Sequence, residues 1–184
     1  MLTLHHGNPH DPARIPEEQA SYALLDALGI VYDRVDHEPL FTIDACAEVD
    51  RVFGTTICKN LFLTNSNRSA YYLLLMPGNK PFRTKDVSAQ IGSTRLSFAP
   101  EDKMREFLRL TPGSVTVLGL QFDTDCRVQL LIDEDVTREP FFACHPCINT
   151  SSIRFSTADL TEKLLPALHH APRFVTLAAP AEKN

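Results

Sequence analysis

Apolar and polar residues alternate along this chain in two rhythms, and the change from one to the other marks out its elements. After Ile15-Pro16-Glu17-Glu18, the residues Ala20, Leu24, Leu25 and Leu28 recur at the three-to-four spacing that gathers side chains on one face of a helix. Proline in the first turn and acids near its positive end suit that start, and Gly29 stops it. Ile30 to Val35 then predicts a strand, and Thr42 is placed to cap a second helix over Ile43 to Val49. Lys59 to Leu63 and Ala70 to Met76 are nearly continuous apolar runs on either side of the polar Thr64 to Ser69, the pattern of a hairpin of well-buried strands.

Further along, Thr84 to Gln90 predicts a short helix ended by Gly92, and Pro100 opens another that runs to Leu110 with Met104, Phe107 and Leu108 inward. Arg127 to Ile132, Phe141 to Cys144 and Ser151 to Phe155 predict strands. Ser156 with Asp159 resembles a capping box and starts a last helix through Leu168. Between these elements lies Thr111-Pro112-Gly113-Ser114-Val115-Thr116-Val117-Leu118-Gly119-Leu120, two glycines around small polar and β-branched residues. It reads as a ligand-facing loop, neither helix nor ordinary strand, because glycine lets a ligand or another backbone come close. The organisation expected is a flexible lead-in over 1–14, one α/β (α+β) domain over 15–177 and a flexible tail over 178–184.

Composition narrows the partners. At 184 residues one core suffices, and no apolar run approaches the roughly 20 residues of a spanning helix. No membrane partner is expected. The first residues lack the cationic start and apolar stretch of a secretory signal, so a cytoplasmic location is expected. Five cysteines make an odd set, read as reduced thiols. A net charge of −5 argues against a broad phosphate-tracking surface, so any RNA contact should be local.

Three constellations could carry chemistry. Lys59-Asn60 puts an ammonium and an amide at a strand end, which suits a phosphate or carboxylate ligand, although a surface lysine where a strand leaves solvent is the commoner reading. His145-Pro146 sits among Asn149, Thr150, Ser151 and Ser152, where a histidine could orient a substrate or water or simply be solvated. Cys144-His145-Pro146-Cys147 is a C-x-x-C, but Ile148 to Ile153 is a poor helix opening, and the redox use of that motif needs a helix N-terminus. No second C-x-x-C or spaced histidine pair completes a zinc site. Serine-hydrolase, Walker and dinucleotide signatures are missing too.

Taken in order, Lys59-Asn60-Leu61-Phe62-Leu63, Tyr71-Tyr72-Leu73, Leu96-Ser97-Phe98-Ala99, Pro112-Gly113-Ser114-Val115-Thr116 through Gly119-Leu120, and His145-Pro146 with Asn149-Thr150 resemble the YbaK/prolyl-tRNA-synthetase-associated editing-domain family. Within it the chain is most similar to the free-standing ProX (PrdX-type) prolyl-tRNA deacylases, over roughly residues 17–170. The resemblance implies a mixed, partly closed β-sheet flanked by helices, and hydrolysis in trans of mischarged tRNA, with alanyl-tRNA(Pro) the expected substrate. A second sieve of this kind is needed because one methylene gives a synthetase pocket only about 1–3 kcal/mol of discrimination. The partners implied are the tRNA 3′ acceptor end and a prolyl-tRNA synthetase, with no metal or organic cofactor.

The same resemblance makes Lys59, Gly113, Ser114 and His145 the catalytic set. It assigns Asn60, Val115, Thr116, Val117, Gly119, Pro146, Asn149 and Thr150 to substrate binding. Lys59 would meet the phosphate or sugar of the terminal adenosine, Asn60 would orient the ester, backbone N–H groups of Gly113 to Val117 would hold the carbonyl oxygen, and His145 would line the amino-acid pocket. The attacking water would be activated by the ribose 2′-hydroxyl. Val117 stands where the family loop has proline, which could loosen the loop or add a donor. Two other readings stay open: a non-catalytic module that binds the tRNA acceptor end beside a synthetase, and a thiol oxidoreductase using the C-x-x-C.

Overall fold

The two apolar rhythms resolve into two sheets and the helices that cover them, seen in a computed structural model that describes residues 2–39 and 43–179, side chains of 43–45 excepted. The strands are β1 (Leu4–His6), β2 (Tyr32–Asp36), β3 (Lys59–Thr64), β4 (Tyr71–Met76), β5 (Ser97–Phe98), β6 (Val128–Asp133), β7 (Phe141–Cys144), β8 (Ser151–Ser156) and β9 (Arg173–Val175). One sheet has the order β1-β2-β8-β7 and is antiparallel throughout. The other has the order β5-β3-β4-β6-β9, antiparallel at β5-β3-β4 and parallel at β4-β6-β9. The expected mixed β-structure flanked by helices is present, as two sheets rather than a single curved one. They meet at one seam, where the N–H of Cys58 donates to the carbonyl of Ala143 at 2.9 Å.

The main core fills the space between the sheets. Phe62, Leu73, Leu75, Leu130 and Ile132 of one sheet face Tyr32, Phe142, Ile153 and Phe155 of the other. α1 (Pro16–Ala27), α4 (Glu101–Leu108) and the last helix close its sides. The alternate residues Leu63, Tyr72, Leu74 and Met76 bury themselves beneath α3 (Thr84–Ile91). β4 is therefore covered on both faces, the physical reason its sequence Tyr-Tyr-Leu-Leu-Leu-Met shows no alternation. Val35 and Ala143 on the outer face of the first sheet pack under Val49 and Phe53 of α2 (Ile43–Phe53).

Several expectations change on folding. The lead-in contains β1, which pairs Leu4 with Val35 and His6 with Asp33. The end of the stretch Thr111 to Leu120 is not loop: from Val117 the chain forms a 3₁₀ helix, Val117–Phe122. The last helix is α5 (Thr157–Asp159), a π-helical turn Leu160–Leu164 and α6 (Leu165–Leu168), opened by Ser156 Oγ accepting from the Asp159 N–H at 3.0 Å. β9 follows where only chain was expected, and Leu177 beyond it is tied to Asp133. The Thr42 cap and most of the tail lie outside the described residues. No helix of the described residues is long and apolar enough to cross a membrane.

Candidate functional site

At the seam between the sheets a cavity of about 540 Å³ opens, within the range that holds a small-molecule ligand. Its floor is the first half of β3. β5 pairs only with Leu63 and Thr64, so among the described residues the edge of β3 near Lys59, Asn60 and Leu61 has no neighbouring strand on that side. Loop 111–116, the turn after β7, the middle of α2 (Cys46, Ala47 and Asp50) and Phe98 supply the other walls. Five segments separated in sequence thus converge on one space.

Lys59 is exposed at the mouth, its Nζ donating to the carbonyl of Lys80 at 3.3 Å. That carbonyl belongs to a fixed residue, since the Lys80 ammonium is buried against Asp133 at 2.9 Å and Asp135 at 2.7 Å. Asn60 acts as a brace. Its Oδ1 accepts from the Val117 N–H at 3.0 Å and its Nδ2 donates to the Cys58 carbonyl at 3.0 Å. Val117 therefore uses the N–H that a proline would lack to fasten the 3₁₀ helix to β3.

The glycine loop divides into donors that are spent and donors that are free. The Ser114 N–H goes to the Thr111 carbonyl at 3.0 Å, and its hydroxyl donates to the same oxygen at 2.8 Å. Ser114 is buried, and both its N–H and its hydroxyl are engaged in closing a local turn on Thr111. The N–H groups of Gly113, Val115 and Thr116 have no partner among the described residues. Gly113 has φ +86°, open to glycine at little cost, and a Cβ there would lie 2.9 Å from Asn149 Nδ2. Thr116 is buried and its Oγ1 caps the 3₁₀ helix by accepting from the Leu118 N–H at 3.4 Å. Gly119 does not reach the cavity: a Cβ on it would stand 2.7 Å from Leu110 Cδ1, so its smallness serves the packing of the 3₁₀ helix on the chain after α4.

His145 lines the cavity opposite this loop. Its Nδ1 lies 2.9 Å from the Ser151 carbonyl, which can only accept, so Nδ1 carries the proton and Nε2 keeps its lone pair. Burial, with His37 nearby, holds its pKa below the ordinary value of 6.5, against the opposing pull of the Ser151 carbonyl. The ring is neutral at pH 7. His37, which the sequence reading passed over, stands behind it at 6.1 Å between ring centroids. Its Nδ1 donates to the Glu38 carbonyl at 2.8 Å, leaving Nε2 to accept from Ser152 Oγ at 2.9 Å. Ser152 Oγ is 3.3 Å from His145 Nδ1, so every proton in the chain Glu38-His37-Ser152-His145 has an assigned direction. Pro146 is buried, and the Thr150 carbonyl accepts from the His37 N–H at 2.9 Å, so both shape the turn without lining the cavity.

The C-x-x-C has a structural part. Cys144 and Cys147 are buried free thiols that burial pushes up to about 12, far from the depressed values of reactive cysteines. Cys147 turns the chain at φ +64° and no helix follows. The oxidoreductase reading fails on both counts.

Known proteins are similar to this chain in sequence and in fold. The model of the aminoacyl-tRNA editing domain family matches residues 37–163. The prolyl-tRNA editing protein ProX of Acetoanaerobium sticklandii is 34% identical over 150 residues, covering 82% of this chain and 91% of that protein. The prolyl-tRNA synthetase associated domain-containing protein 1 of Danio rerio is 28% identical over 150 residues, 80% of each chain. A solved structure described as a candidate trans-editing enzyme for prolyl tRNA synthetase shares the fold at a TM-score of 0.65 and 17% identity, over 90% of this chain and 100% of that one. Because the matched stretch starts at His37 and ends in the last helix, it takes in every wall of the cavity, and the chain belongs to the aminoacyl-tRNA editing domain family.

Proposed function

We propose that this aminoacyl-tRNA deacylase acts in trans on alanyl-tRNA(Pro), clearing the product of a prolyl-tRNA synthetase that has charged the wrong amino acid. The observation that carries the reading is the convergence of Lys59, the loop at Gly113 and Val115, and His145 on one cavity. A cavity of about 540 Å³ suits an amino acid together with the ribose that bears it. Lys59 at the mouth meets the phosphate or sugar of the terminal adenosine. The N–H groups of Gly113 and Val115, unpartnered among the described residues and belonging to the loop residues that line the cavity, are the donors available to the developing charge on the ester oxygen, where preorganised backbone donors are worth most. Asn60 contributes by bracing that loop, and has one amide N–H left for the substrate.

His145, neutral and with Nε2 unprotonated, accepts a hydrogen bond from the aminoacyl group or from the attacking water. The ribose 2′-hydroxyl activates that water. The acid-base work then needs no charged protein base. Binding of the acceptor end without hydrolysis would require a loop too loose to stabilise the oxyanion, and the Val117 to Asn60 bond argues for a held loop instead.

The test is deacylation of alanyl-tRNA(Pro), with prolyl-, seryl- and cysteinyl-tRNA in parallel, for the wild type and Lys59→Ala. Alanyl-tRNA(Pro) should lose its ester fastest, and Lys59→Ala should raise KM at least tenfold. Hydrolysis of none of the four by the wild type would refute the reading.

A further inference from the structure

The charges of the cavity are complementary to more than a phosphate. Among the described residues that line it, Lys59 is the one with permanent positive charge and Asp50 is the one carboxylate. Asp50 lies near the end of α2, partly buried, and Oδ1 accepts from the Ile57 N–H at 2.9 Å, which fixes the side chain across the turn into β3. The other oxygen has no hydrogen-bond or ion-pair partner among the described residues. Burial raises the pKa of this carboxyl, opposed by the Ile57 bond, as expected of an acid that has lost water without gaining a cation.

We propose that Asp50 binds the α-ammonium group of the aminoacyl ester, so that substrate lies across the cavity with its anionic end at Lys59 and its cationic end at Asp50. This rests on the deacylase reading above. An aminoacyl ester differs from most esters of its size in carrying that ammonium, and a fixed carboxylate with an oxygen unpartnered among the described residues is the simplest group that tells them apart. The bond to Ile57 is what makes Asp50 useful here: it holds the headgroup before substrate arrives, so ordering costs less on binding. The contact also sets which way the ester faces, by holding the α-carbon while the loop at Gly113 holds the carbonyl oxygen.

Asp50→Asn keeps the size of the side chain and an oxygen for the Ile57 N–H while deleting the charge. Its kcat/KM should be measured on alanyl-tRNA and on the lactyl ester of the same tRNA, in which a hydroxyl replaces the amine, each rate divided by its uncatalysed rate. The expected result is a loss of tenfold or more on the alanyl ester and less than twofold on the lactyl ester. Equal losses on both, or no loss on either, would overturn the proposal. The wild type alone supplies a second reading should the variant fold poorly: it should prefer the alanyl ester about tenfold, and equal corrected rates would overturn the proposal as surely. Hydrolysis of neither ester by the wild type removes the deacylase reading, and the role of Asp50 with it.

Discussion

The two facing walls of the cavity do their work with different parts of the chain. On the loop wall, Gly113 and Val115 offer main-chain N–H groups, and the side chains around them serve to hold the backbone in place: Ser114 closes a turn, Thr116 caps a helix and Asn60 clamps Val117. On the histidine wall the main chain does the holding, through the Ser151 and Glu38 carbonyls, and the side chains His145, Ser152 and His37 face one another. A wall built from backbone is indifferent to most substitutions and vulnerable where geometry admits a single residue type. A wall built from side chains is the reverse, since each member has a proton to place.

The sharpest break in this contrast is Gly113→Ala. At φ +86° a side chain is strained, and its Cβ would meet Asn149 at 2.9 Å. Strain of roughly 1–3 kcal/mol at a site that must stay preorganised should cut kcat by about 10–100-fold, with KM for the tRNA little changed. Single-turnover deacylation measures it, and an unchanged kcat would remove the loop from catalysis.

Ser152→Ala tests the other wall and should cost less, roughly three- to tenfold in kcat/KM, because His145 keeps its bond to the Ser151 carbonyl. The readout specific to this wall is pH. Both His37 and His145 have pKa values lowered by burial below 6.5, so activity that needs neutral rings should stay level from pH 8 to about 6.5 and fall only below that. The same shift makes the folded state bind fewer protons than the unfolded chain. Its stability contribution is present above pH 6.5 and lost as pH drops through the folded values. Activity and melting temperature followed together across pH 5–8 should show it, and a rate that declines from pH 8 downward would contradict a neutral His145.

The mildest change is Val117→Pro, which restores the proline of the family loop. It deletes the N–H that Asn60 receives, a hydrogen bond worth about 0.5–1.5 kcal/mol, at a first helical position that otherwise accepts proline. The melting temperature should fall by roughly 2–4 °C per kcal/mol, with kcat within about threefold of the wild type. A gain in rate would mean that the Asn60 tie restrains the loop instead of supporting it.

Helices α3 and α4 and strands β3, β4, β6, β7 and β8 were legible because each buries a face whose period is written in its own residues. α1 was legible as a helix but not by its face: it buries Glu18, Ser21, Tyr22 and Leu25, and of the expected stripe Ala20, Leu24 and Leu28 stay half-buried. β1 was not legible, since Leu-His-His has no such face and becomes a strand by lying beside β2. The 3₁₀ helix was hidden in the same way. Val117-Leu118-Gly119 has poor helical propensity, and what bends it into turns is the Thr116 cap, the Asn60 clamp and contact with Leu110.

The cavity divides along the same line. Sequence alone determined the paired β3-β4 hairpin, the covering helices, the family and the cavity residues Lys59, Gly113, Val115 and His145, because periodic burial and residue type are local properties. Only the tertiary structure decided that Gly119 serves packing against Leu110, that Asp50 faces the same space, and that His37 joins Ser152 from 115 residues away. Those facts depend on the β2-β8 register and on which hydrogen bonds the folded backbone leaves unspent, quantities that exist only once separated segments have met.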